Sequence, residues 1–252
     1  MFKEYTHEIL LNEVLKLPYY PIKYEGKHIK NEDHYFTIHN RRYLYTYKFL
    51  CEYLNSNDLL LDVGGEPGHI TSIIKNEITP NVSIVGQWQS ETITLRFSEL
   101  KIEAVECDID TESLPYKDNS FDVITLFEVV EHMTNVPHLF EEIRRVLRPG
   151  GYFILSTPNI TKLKNRINLM LGHGIGWPSI DKAESGCGYF DVPFYMRHYR
   201  EYTANELTHL LGDALFKNVT IKYKNSYGKR VSTFTSNIIP SLSDTIFIIA
   251  KK

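Results

Sequence analysis

The stretch Leu59-Leu60-Leu61-Asp62-Val63-Gly64-Gly65-Glu66-Pro67-Gly68 constrains the fold of this 252-residue chain more than any other. An apolar run ends in an acid, turns through glycines and leads into a helix that begins near His69. Glycine permits a sharp turn and lets the backbone come close to a ligand, and the N-terminus of the following helix favours negative charge. In the dinucleotide-binding fingerprint an acid stands about twenty residues after the glycines. Here Asp62 precedes them, which sets the loop apart from that class. Taken alone, the loop is also compatible with a purely structural strand-to-helix turn.

The remainder of the chain alternates strand and helix patterns. Val82–Gly86 is a short β-branched run, residues 104–108 read as a strand ending in an acid, and Phe121–Phe127 is nearly continuous apolar sequence, as a buried parallel strand requires. Residues 138–147 carry apolar side chains at helical spacing, and Pro149-Gly150-Gly151 is expected to stop that helix before a strand over 152–156. Strands alternating with helices imply a parallel sheet with crossover helices, and ligands then sit at the carboxyl ends of the strands. Residues 1–58 read as a helical cap, with Ile9-Leu10-Leu11, Val14, Leu15 and Leu17 before Pro18, and a second amphipathic segment over 43–54. Residues 172–197, rich in glycine and aromatic side chains, read as a lid-like insertion after the fifth strand. No second domain is expected within 1–252.

Composition narrows the function classes. With 42% hydrophobic and 23% charged residues the chain is ordinary for a globular protein. No apolar run is long enough to span a bilayer, and the first residues carry acids without a signal-peptide core, so the expected compartment is the cytoplasm. The three cysteines, Cys51, Cys107 and Cys187, lie in unrelated segments, which argues against a disulfide framework. A net charge of −3 speaks against general nucleic-acid binding, which needs clustered Lys and Arg.

Several segments in order resemble the class I, Rossmann-like S-adenosylmethionine (SAM) methyltransferases, in particular the small-molecule and glycan-associated branch. They are the loop at Asp62 to Gly68, Asp108-Ile109 with Leu114-Pro115-Tyr116, Asn119-Ser120-Phe121-Asp122-Val123 with Phe127-Glu128-Val129-Val130-Glu131-His132-Met133, Leu147-Arg148-Pro149-Gly150-Gly151, Ser156-Thr157-Pro158-Asn159, and His198-Tyr199-Arg200-Glu201-Tyr202-Thr203. The resemblance implies an α/β fold with a mostly parallel seven-stranded sheet flanked by helices, and SAM as cofactor. By resemblance the backbone of Gly64, Gly65 and Gly68 approaches the amino-acid end of SAM, and Asp62 orients the loop or the ammonium. Asp108 accepts the adenine amino group, Ile109 packs on the ring, and Phe127 lies on the cofactor side. Arg42 faces the SAM carboxylate. Trp88 is placed over an adenine face, with packing between the second and third strands as its alternative. The chain departs from the family at Gln87, where an acid normally binds the ribose hydroxyls, and at Glu66, which replaces a glycine. An amide still hydrogen-bonds but lacks the strength of a carboxylate.

Methyl transfer is an in-line displacement that depends chiefly on positioning, and a hydroxyl acceptor also needs a base. His198 is the first candidate because an imidazole titrates near neutral pH, with His132 and Glu128 behind it. No metal site is expected: His173, Cys187 and His198 match no compact ligand spacing. The expected function is O-methylation of a small polar acceptor such as a sugar, a nucleotide-linked intermediate or a polysaccharide decoration. The alternative is a SAM-binding regulatory or scaffold protein without transfer. A homodimer is left open by the sequence.

Overall fold

The computed structural model describes residues 32–88, 91–178, 180, 181, 192, 197–227 and 230–252. The helical pattern at 9–17 and most of the lid-like stretch 172–197, including Cys187, lie outside the described residues. Seven strands form one sheet in the order β3-β2-β1-β4-β5-β7-β6. They are β1 (Leu60–Val63), β2 (Val82–Gly86), β3 (Glu103–Glu106), β4 (Phe121–Phe127), β5 (Leu147–Pro158), β6 (Lys217–Lys224) and β7 (Thr245–Lys251). Pairing is parallel from β3 through β5, and β7 runs antiparallel to both β5 and β6. The helices are α1 (Glu32–Tyr53), α2 (His69–Glu77), α3 (Glu91–Glu99), α4 (Val136–Val146), α5 (Leu163–Met170), α6 (Ala204–Asp213) and α7 (Arg230–Ile238), with 3-10 turns at Val130–His132 after β4 and at Pro240–Leu242 before β7.

Side-chain alternation divides the core into two apolar layers. Leu60 joins Leu50, Ile74 and Phe97 in one, while Leu61 and Val63 join Phe140, Ile143 and Leu207 in the other. All of β1 and β2 is buried, which is why both strands are mostly apolar, with only Asp62 and Ser83 as polar members. In α4 the buried residues Val136, Leu139, Phe140, Ile143 and Val146 recur at helical spacing along one face. Asn135 caps this helix by accepting from the His138 amide, and Pro137 occupies its first turn, where no amide donor is missed.

One boundary differs from expectation. The Pro149-Gly150-Gly151 stop lies inside β5, which begins directly after α4, with Leu147 already paired to Phe121. The ladder shifts register between Phe121 and Val123, absorbing the extra residues. A Cβ at Gly151 would stand 2.7 Å from the Asp122 carbonyl oxygen, so the close strand approach needs glycine there. The consequence for function is that the ends of β1, β2, β4 and β5 gather at one edge of the sheet.

Candidate cofactor and acceptor site

The glycine loop is built by its own packing. Gly64 and Gly68 have positive φ, +71° and +87°. A Cβ at Gly64 would lie 2.5 Å from Val129 Cγ2, and one at Gly65 would collide with the Asp62 carboxylate. The Gly64 amide donates to the Val85 carbonyl at 2.7 Å, tying the loop to β2. Asp62 is 2% exposed, and its two oxygens accept from the hydroxyls of Thr71 (2.5 Å) and Thr125 (2.7 Å). Burial pushes its pKa up to about 6, against the opposing effect of those two hydroxyls. Asp62 therefore ties β1 to β4 and to the first turn of α2.

A cavity beside the loop is lined by Arg42, Tyr43, Glu66, His69, Phe127 and Glu128, among others. Arg42, which α1 carries into the interior, donates from Nη1 to Glu128 Oε2 at 2.9 Å and to the Tyr227 hydroxyl at 3.1 Å. The other Glu128 oxygen accepts from Ser156 at 2.7 Å. Glu128 holds a φ of +56°, a conformation that side chains rarely adopt and that collects at functional sites. Glu66 faces the same cavity, and burial pushes its carboxyl up to about 7.

On the opposite side of the loop, Gln87 stands exposed just after β2. Trp88 is 8% exposed, its ring meets Phe97 of α3 edge-on at 5.3 Å, and its N–H donates to Thr94 at 2.9 Å. Asp108 opens a tight turn, accepting from the Asp110 amide and the Thr111 hydroxyl. A carboxylate has about four lone-pair positions, so it retains acceptor capacity. Ile109 is buried in the apolar layer.

His132 and His198, 66 residues apart in sequence, meet with ring centroids 5.0 Å apart and nearly perpendicular. His132 closes the 3-10 turn after β4, and its Nδ1 lies 3.0 Å from the Arg197 carbonyl. Burial and the nearby His198 lower its pKa to about 4. His198 Nδ1 lies 3.1 Å from Glu201 Oε1. Burial favours the neutral form of Glu201, but its bond to His198 and the nearby Lys162 outweigh that and leave its pKa below the usual value. The main chain fixes this meeting: the Tyr199 and Arg200 amides both donate to the Glu131 carbonyl, and the His198 amide donates to Trp177. Glu131, 1% exposed, accepts from the Thr157 hydroxyl at 2.9 Å, and burial together with Glu128 raises its pKa well above the usual range. The sequence reading passed over Glu131; its position three residues after Glu128 and directly before His132 was the available signal. Of the trio His173, Cys187 and His198, Cys187 lies outside the described residues, and His173 Nδ1 stands 3.6 Å from Asp181 Oδ2.

Comparison with known proteins agrees with this architecture. A protein of Mycobacterium tuberculosis named as a probable S-adenosylmethionine-dependent methyltransferase is 28% identical over 181 residues, covering 72% of this chain and 56% of its own length. A malonyl-[acyl-carrier protein] O-methyltransferase from a Marinomonas species is 31% identical over 107 residues, covering 41% of this chain and 39% of that protein. The chain thus spans about half or less of the length of these relatives. The solved structure of a SAM dependent methyltransferase from Archaeoglobus fulgidus superposes with a TM-score of 0.56 at 19% identity, covering 86% of this chain and 99% of the other. Residues 34–221 match the family described as "Methyltransferase domain". Matched over most of its length and folded on the same kind of sheet, the chain belongs to the methyltransferase-domain family, whose cofactor is S-adenosylmethionine.

Proposed function

We propose that the chain transfers a methyl group from SAM to an oxygen of a small polar acceptor such as a sugar, a nucleotide-linked intermediate or a polysaccharide decoration. The observation that carries this is the buried Arg42–Glu128 pair beside the glycine loop. A guanidinium and a carboxylate at one pocket wall match the carboxylate and ammonium of an amino-acid zwitterion, and Arg42 can form a forked bond to the former. The fit extends to the loop, whose glycines let it pack closely on Val129 and Asp62 and so keep its main chain at the cavity wall. Asp108 with its remaining lone pairs, and Gln87 in place of the ribose acid, serve the nucleoside end. Bound SAM supplies a methyl on a sulfonium, ready for in-line displacement.

Among this chain's residues, His198 is the group suited to take a proton from a hydroxyl acceptor. Glu201 holds its Nδ1–H and leaves the Nε2 lone pair, the arrangement of an oriented base. His132 is a weaker base, since its low pKa means a poor grip on a proton. Oxygen as the accepting atom is supported by the O-methyltransferase relative from Marinomonas.

Calorimetric titration of the purified chain with SAM and S-adenosylhomocysteine tests the cofactor half. Both bind, and Arg42→Ala weakens them by about tenfold or more, the loss of a charge-assisted hydrogen bond. A folded wild type that binds neither overturns the proposal. Release of S-adenosylhomocysteine across a panel of sugars and nucleotide sugars finds the acceptor. With it, His198→Ala lowers turnover by about 10²–10⁴-fold while leaving SAM affinity in place.

A further inference from the structure

Glu131, His132 and His198 come together so that one ligand-type atom from each lies within 4.8 Å of the other two. Their second shell is already arranged. The Arg197 carbonyl can only accept, so His132 Nδ1 carries the proton there and Nε2 keeps its lone pair. Glu201 likewise takes the Nδ1–H of His198. A ring nitrogen free to ligate, with the other one donating to a carbonyl or a carboxylate, is how metal-binding imidazoles are held.

Charge points the same way. Glu131 and Glu201 are buried at this end of the sheet, and Glu128 is largely so. Arg42 lies on Glu128 and Lys162 on Glu201, while Glu131 is met by the Thr157 hydroxyl. A buried carboxylate is costly without a matching cation. On the outer side of His198 a cavity of about 410 Å³, bordered also by Trp177, Tyr199 and Arg200, leaves room for a polar molecule beside the cluster.

We propose that Glu131, His132 and His198 bind one divalent first-row transition ion, of the class of Zn²⁺, Co²⁺ and Mn²⁺, on the acceptor side of the site. Two imidazoles and one carboxylate suit these ions, whereas Mg²⁺ prefers oxygen ligands and keeps its waters. Metal–ligand bonds of about 2.0–2.2 Å require the three donors to draw closer than the 4.8 Å within which they now lie. Three protein ligands leave a position open for a substrate oxygen. Its catalytic role rests on the methyl-transfer proposal above; its binding does not. In that role the acceptor hydroxyl sits on the ion and its proton leaves to water. The O–CH₃ bond forms as the C–S bond of SAM breaks, and the electron pair stays on sulfur. With the ion bound, this role replaces the direct proton transfer to His198 described above, and the loss of turnover in His198→Ala is then the loss of a ligand to the ion.

The test uses the untagged full chain, stripped with EDTA and titrated with CoCl₂, whose visible ligand-field bands report nitrogen ligation, and with ZnCl₂ in competition. One ion binds per chain, excess MgCl₂ does not displace it, and His132→Ala, His198→Ala and Glu131→Gln each weaken binding by about tenfold or more. His138→Ala, outside the cluster, binds as wild type. Circular dichroism checks each fold, and His198→Gln replaces any alanine variant that fails it. No stoichiometric ion on wild type, or cluster variants that bind Co²⁺ like wild type, overturns the proposal. SAM titration of the stripped protein separates the two readings: loss of SAM binding with Co²⁺ retained defeats the transfer proposal alone, and the converse defeats the metal site alone.

Discussion

Asp62 stands where the fold makes a charge costly. Its pKa is raised from the ordinary value to about 6 by burial, so the folded chain holds that proton more tightly than the unfolded one does. Between about pH 4 and 6 the native state therefore binds more protons, and this residue's contribution lowers stability as pH rises through that window. Asp62→Asn removes the effect while keeping an acceptor and a donor for the hydroxyls of Thr71 and Thr125. We expect the variant to equal wild type near pH 4 and to exceed it by about 1–3 kcal/mol at pH 8, read from urea melts across pH. A wild-type advantage at pH 8 would mean that the two hydroxyl bonds outweigh the burial cost. The sequence disclosed Asp62 and the glycines because backbone geometry at that loop demands particular residue types, whereas Arg42 was pointed to only by the resemblance of its segment to the family. It disclosed Trp88 and Glu131 poorly. Trp88 adjoins Gln87 in sequence yet points into the core, and Glu131 gains its meaning only from His198, which sequence order places far away.

At the scale of elements, α6 has a complete capping box: Thr203 Oγ1 accepts from the Glu206 amide at 3.1 Å, and Glu206 Oε2 accepts from the Thr203 amide at 2.8 Å. Thr203→Ala should cost about 1 kcal/mol, a fall in midpoint of about 2–4 °C for a chain of this size by calorimetry. Because the capped turn directly follows the His198 segment, the variant also tests whether the helix start holds that segment in place. Strands were legible where burial leaves mostly apolar, β-branched sequence, as in β2 and β4, whose limits match the reading. The start of β5 was not. Proline and paired glycines resemble a helix stop, but here they serve a register shift and a close approach to Asp122, effects of the neighbouring strand that local sequence does not encode.

Over the whole molecule, cofactor binding and folding are linked. A ligand that binds only the native state adds about 2.7 kcal/mol at a hundredfold excess over its dissociation constant. Saturating SAM should raise the melting midpoint by about 5–10 °C. S-adenosylhomocysteine should act similarly and NAD should not, all read by differential scanning fluorimetry; a shift with NAD instead would favour a dinucleotide ligand. The meeting of His198 with the end of β4 carries a different implication. It is secured by amide hydrogens of Tyr199 and Arg200 on the Glu131 carbonyl, and every residue but proline brings such a hydrogen. Tyr199, 55% exposed, can thus drift in identity over generations while the imidazole beside it keeps its position, so the rim of the acceptor space is free to diversify around a fixed chemical centre.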